Sequence, residues 1–170
     1  MQAGSARLPV IAEDLGVVTP DVAELLKAFS LPGMRVLQFG FAGLSEDSLP
    51  HNYVSNCVAY TGTHDNDTSR GWFSSATRVE QQFALQYLKS TEERIVDDMI
   101  QANWESPAMM TIAPLQDLLG LGTEGRMNFP GRPQGNWEWR FGEAELTDDR
   151  AHWMRHLNDR TSRSSNLRLD

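Results

Sequence analysis

Tyr60-Thr61-Gly62-Thr63-His64-Asp65-Asn66-Asp67-Thr68 is the stretch where an apolar run, Cys57-Val58-Ala59-Tyr60, stops and a cluster of small, polar and ionisable residues begins. The run has the length and apolar continuity of a buried strand, and Gly62 frees the backbone to turn behind it. In parallel α/β sheets the loops after the carboxyl ends of strands carry the reacting groups, because the sheet fixes their positions while the loops stay accessible. His64 and Asp65 stand at such a mouth. Asp-Asn-Asp-Thr is also the vocabulary of turns and helix caps, so this stretch alone leaves a structural reading open. A second stretch, Leu8-Pro9-Val10-Ile11-Ala12-Glu13-Asp14-Leu15-Gly16, has the same design. It too is an apolar run that ends in acidic residues and Gly, and two strand ends bearing carboxylates suggest one shared site.

The 170 residues suffice for one domain with a sizeable core, and a hydrophobic content of 40% fits a globular chain. The net charge of −8 argues against nucleic-acid or membrane-surface binding, since phosphate backbones repel acidic surfaces. Cys57 is the single cysteine, so no intrachain disulfide and no cysteine-based metal site is possible, and its apolar neighbours mark it as a small core residue. Residues 1–7 lack the apolar region of a leader, and no window is long and apolar enough to cross a bilayer. A cytoplasmic location is expected. Residues 1–7 are expected to be an extension, 8–159 a barrel-type domain, and 160–170 a frayed tail, and the arginines after Arg150 are expected to face solvent.

Four buried strands are expected, at residues 8–12, 34–39, 57–60 and 108–112. Successive strand residues alternate sides, so only one of Glu13 and Asp14 can face the mouth. Thr19-Pro20-Asp21 starts a first helix with the apolar stripe Val22, Leu25, Leu26 and Phe29. Residues 44–56 show no helical period, so the link between the second and third strands is expected to be irregular. Thr77 with Glu80, and Ser90 with Glu93, have capping-box spacing and predict two helices, the second buried through Ile95, Val96, Met99, Ile100 and Asn103. A loop or short helix is expected at 114–120, a long loop at 122–135, an extended segment at 136–141, and a last helix from Thr147.

Four parallel strands with intervening segments predict an α/β fold. A complete (β/α)₈ barrel is typically about 250 residues, with about 200 as a lower bound, so the chain is expected to form the second half of a TIM barrel. The motifs Ile11-Ala12-Glu13-Asp14-Leu15-Gly16, Gly33-Met34-Arg35-Val36-Leu37-Gln38-Phe39, Leu49-Pro50-His51-Asn52-Tyr53, Tyr60-Thr61-Gly62-Thr63-His64-Asp65-Asn66, and Arg126-Met127-Asn128 through Gly135-Asn136-Trp137 occur in this order. In that order the chain resembles the 4-α-glucanotransferases, the amylomaltase or disproportionating-enzyme family of the α-amylase clan, over residues 8–141.

That resemblance implies the fifth to eighth strands of a catalytic barrel. It also implies transfer of α-1,4-glucan segments between maltooligosaccharides by a retaining double displacement. It assigns Glu13 as general acid/base and Asp65 as transition-state stabiliser. His64, Phe39 and Asn128 are assigned to the sugar. It implies α-1,4-glucans as partners, and neither a metal nor another cofactor. Such chemistry needs one carboxylic acid for the leaving oxygen and a second carboxylate about 5 to 5.5 Å away to attack the anomeric carbon. The family's nucleophilic Asp belongs to an Arg-x-Asp-His stretch, which is absent from these residues; Asp14 and Asp67 are poor substitutes. The nucleophile is expected from a missing amino-terminal half of the barrel, and the chain alone is expected to be inactive. Two alternatives are an α-amylase-clan hydrolase and a non-catalytic carbohydrate-binding or structural domain using Phe39, Trp137 and Trp139 as stacking surfaces.

Overall fold

The computed structural model describes residues 10–43 and 46–163. Among these residues the chain forms an α/β fold around a parallel sheet of order β1-β2-β3, with β1 at Gly33–Val36, β2 at Cys57–Tyr60 and β3 at Met110–Ile112. Gly33 lies beside Cys57 and Val36 beside Tyr60; Val58 lies beside Met110 and Tyr60 beside Ile112. All three strands therefore point the same way, and the segments after residues 36, 60 and 112 emerge at one edge.

The expected first strand is a correction. Residues 8 and 9 lie outside the described residues, and 10–12 are not laddered into the sheet. Ala12 donates one backbone hydrogen bond to the Pro32 carbonyl at 2.9 Å, but the Met34 N–H goes to Asp14 Oδ1 at 2.6 Å. A side-chain acceptor has taken a donor that a ladder would use. Asp14 also pairs with Arg35 at 3.2 Å, and a Cβ on Gly33 would collide with its carboxylate. The second strand is shorter than expected: it ends at Val36, and α2 (Leu37–Phe41) places Phe39 on a helical turn. The link from 46 to 56 is irregular, as expected, with two short 3-10 turns at Glu46–Ser48 and Pro50–Asn52.

Between β2 and β3 run α3 (Ser69–Ser75), α4 (Arg78–Leu88) and α5 (Ile95–Glu105). Thr68 caps α3 by accepting from the Gly71 N–H, so part of the Asp-Asn-Asp-Thr run is indeed capping chemistry. The Thr77–Glu80 capping box forms, with Thr77 N–H on Glu80 Oε2 at 2.7 Å and Glu80 N–H on Thr77 Oγ1 at 3.3 Å. The Ser90–Glu93 box does not: Ser90 Oγ bonds Asp98 Oδ2 at 2.7 Å, and α5 starts only at Ile95. That carboxylate, a turn inside the helix, outcompetes the local box. The expected residues of α5 are all buried, and Ile95, Val96, Met99 and Ile100 form the core with Leu37, Phe41, Phe73, Ala84 and Leu157. Cys57 is buried beside Tyr53, Ala59 and Ala108.

After β3 come α6 (Leu115–Leu118), a loop with 3-10 turns at Thr123–Gly125 and Glu143–Glu145, and α7 (Asp148–Arg160) behind the Thr147 cap. Residues 136–141 form no strand. Of the arginines expected to face solvent, Arg155 and Arg160 do so, whereas Arg163 is partly buried and held by the backbone. Arg163 donates to the carbonyls of Trp104, Ser106 and Ala108 at 2.7–2.9 Å, and Arg160 pairs with Glu105 at 3.0 Å. Residues 164–170 of the expected tail lie outside the described residues.

α1 (Pro20–Ala28) forms as the sequence predicts but buries none of its residues. Leu25 is 53% and Phe29 60% exposed, and on the far side of the sheet Met109, Met110 and Ile112 are also exposed. Apolar surface at both flanks of a short parallel sheet favours association. Light scattering on the isolated chain is expected to give a concentration-dependent mass above its 19.1 kDa. A single monomeric species at all concentrations would contradict this.

Candidate active site

The loops after β2 and β3 meet at the carboxyl edge of the sheet. Within the first, Asn66 Oδ1 accepts from both the backbone N–H and the hydroxyl of Thr63 at 2.9 Å, which curls the loop and turns His64 and Asp65 outward. Both side chains are about half exposed, and His64 Nε2 lies 3.3 Å from Asp65 Oδ1. The second loop reaches across to them. Asn128 Nδ2 donates to Asp65 Oδ1 at 2.5 Å, and the Asn128 N–H donates to the His64 carbonyl at 3.1 Å.

Arg126 grips the backbone rather than a carboxylate. Its Nη2 donates to the Asp65 carbonyl at 2.7 Å and its Nε to the Asn128 carbonyl at 2.9 Å. The guanidinium lies 4.5 Å from the Phe129 ring centre, and Arg132 stands 4.3 Å from the same ring. Such cation–π contacts stiffen the turn. The Trp137 N–H closes the loop on the Met127 carbonyl at 2.8 Å, and its indole lies 5.1 Å from the His64 ring. Trp137 adopts φ +65°, a left-handed conformation unusual for a bulky residue.

Three of the five sequence-predicted site residues, His64, Asp65 and Asn128, are thus in mutual contact. Phe39 and Asp65 line one cavity of about 310 Å³ together with Gln38, Trp72 and Arg126. Glu13 is exposed on the segment beside β1 and lines neither this cavity nor the one of about 160 Å³ between His64 and Trp137. A half-exposed anion, an imidazole, an amide and aromatic faces around one opening suit a hydroxyl-rich ligand on which positive charge develops.

Several supporting residues were not legible in the sequence. Gln38, buried on α2, donates to the Asp67 carbonyl at 3.0 Å. Asp67 accepts from Thr68 N–H and from Thr123 Oγ1, both at 2.8 Å. Asp117, on α6 and 1% exposed, accepts from Thr61 Oγ1 at 2.5 Å and from Ser69 N–H and Oγ at 2.7 Å each. Burial pushes this carboxyl above its ordinary value of 3.8, against the pull of those hydrogen bonds and with the help of the nearby Asp67 charge. A carboxyl whose folded value is raised holds its proton more tightly in the folded than in the unfolded state. Its stabilising contribution is full below about pH 4 and is lost as pH rises through the folded value. Thermal melts are therefore expected to show Asp117→Asn gaining on the natural chain as pH rises from 4 toward 7. A gap that stays constant over that range would refute the linkage.

The sequence model described as 4-alpha-glucanotransferase matches residues 1–146. The chain is 45% identical over 165 residues to the 4-alpha-glucanotransferase of Thermus thermophilus, covering 92% of this chain and 33% of that protein. It is 47% identical over 148 residues to the chloroplastic/amyloplastic 4-alpha-glucanotransferase of Arabidopsis thaliana, covering 86% of this chain and 26% of that one. Its structure is similar to that of the amylomaltase from Streptococcus agalactiae in complex with acarbose, with a TM-score of 0.88 and 34% identity over 93% of this chain and 32% of that chain. The chain thus spans about a quarter to a third of the length of these relatives.

Proposed function

The chain belongs to the 4-alpha-glucanotransferase family, and from that membership we propose that it supplies the second half of a (β/α)₈ catalytic barrel that moves α-1,4-glucan segments between maltooligosaccharides. The observation that carries this reading is the contact cluster of His64, Asp65 and Asn128 at the carboxyl edge of a parallel sheet, since barrel chemistry sits at that edge.

In this reading Glu13 protonates the leaving oxygen and later deprotonates the acceptor hydroxyl. The attacking carboxylate comes from outside this sequence. Asp65 faces the oxocarbenium-like charge as a fixed anion, and His64 and Asn128 hold hydroxyls of the same sugar while Phe39 packs near the acceptor. The Asn128 amide does two things at once: it orients the Asp65 carboxylate through Oδ1 and leaves the second oxygen for the ligand. For Glu13 to take part, the segment around residue 13 has to turn its carboxyl toward the opening beside Asp65.

The test is a product assay on maltotriose with the protein in full length. Longer and shorter oligosaccharides with little net rise in reducing ends are expected. Reducing ends that accumulate in step with cleavage would replace transfer by hydrolysis, and glucan binding without any bond cleavage would replace catalysis by recognition.

A further inference from the structure

We propose that Asp117 is a positioning residue that fixes the His64–Asp65 loop by tying its two ends together. Thr61 is the first residue after β2 and Ser69 the first residue of α3, and both are fully buried. One carboxylate bridges them: Oδ2 takes both hydroxyls and Oδ1 takes the Ser69 backbone N–H. The residues between the two anchors, 62–68, include His64 and Asp65. The loop can therefore shift as a body only if this buried bridge opens.

The segment that carries Asp117 also grips the loop from outside. Gln116 Nε2 donates to the Gly125 carbonyl at 3.1 Å, which ties α6 to the turn bearing Thr123, and Thr123 holds Asp67. Arg126 and Asn128 follow directly and hold the backbones of Asp65 and His64. The stretch from 114 to 128 is thus a frame with Asp117 at its buried end and Asn128 at its solvent end. Asp117 touches none of the proposed site residues, so its influence on them passes through the anchors.

Two substitutions separate position from bulk stability. Asp117→Ala removes both acceptor oxygens and with them all three hydrogen bonds. Asp117→Asn keeps an oxygen for the Ser69 N–H and offers an amide to two hydroxyls that can equally accept. Amide exchange read by mass spectrometry on the 170-residue chain is expected to speed up about tenfold or more at residues 62–68 in Asp117→Ala, with α4 and α5 unchanged, and to stay near natural in Asp117→Asn. Should the Ala variant fail to fold, Thr61→Val, which keeps the shape and deletes one bond, is expected to speed exchange in the same segment by severalfold. Equal acceleration throughout the chain, or none at 62–68, would overturn the proposal.

A kinetic arm rests on the glucanotransferase reading. In the full-length protein, misplacement of the loop by about 1 Å is expected to lower kcat on maltotriose about 100-fold in Asp117→Ala, with KM within about threefold and activity recovered in Asp117→Asn. An unchanged kcat in Asp117→Ala would overturn the positioning role. If the natural protein transfers no glucan, the functional reading fails while the exchange result still decides Asp117.

Discussion

Asp65→Asn in the full-length protein is expected to lower kcat for maltotriose disproportionation about 1,000-fold, with KM moving by less than about threefold. The substitution is nearly isosteric, and Asn128 Nδ2 still finds an oxygen at the position of Asp65 Oδ1. The hydrogen bonds of Arg126 and Asn128 to the loop use backbone carbonyls, which the change leaves in place. What disappears is the negative charge beside His64. A fixed anion acts mainly on the charge that develops at the transition state, so the loss falls on kcat rather than on ground-state binding. Initial rates across a range of maltotriose concentrations decide it. A fall of less than tenfold, or a loss carried by KM, would remove Asp65 from the proposed role.

The second large effect concerns the chain by itself. Without an attacking carboxylate, transfer by the 170-residue polypeptide is expected to lie at least about 10⁴-fold below that of a complete family member. The two acids that sequence leaves as substitutes are already engaged. Asp14 is bound to the Met34 N–H and Arg35, and Asp67 spends one oxygen on Thr68 and the other on Thr123. Neither can present a free carboxylate to a sugar without breaking local structure. Turnover by the isolated chain within 100-fold of the Thermus relative would mean that one of them attacks after all, and Asp14→Asn and Asp67→Asn would show which.

Strong local patterns told the truth about the interior. β2 and α5 were legible because their apolar residues follow strand continuity and helical spacing, and the Thr77–Glu80 cap because both of its bonds span three residues. Failures arose where a distant or competing partner decided the outcome. Asp98 captured Ser90, Asp14 captured the Met34 N–H, and the chain coiled into α2 two residues before Phe39. The contacts among His64, Asp65 and Asn128 were anticipated only through the resemblance, since 63 residues separate Asp65 from Asn128. Asp117 left no trace in its own neighbourhood, because the residues it binds are 48 and 56 positions away.

Trp137 places heat resistance and ligand retention in opposition at a single position. A bulky residue held at φ +65° carries backbone strain of about 1–3 kcal/mol, which glycine would relieve while keeping the N–H that closes the loop on Met127. The indole that packs on His64 would be lost in the same exchange. Laboratory selection for thermal endurance alone should therefore drift toward Trp137→Gly, and selection that also demands saccharide turnover should hold the tryptophan despite its cost.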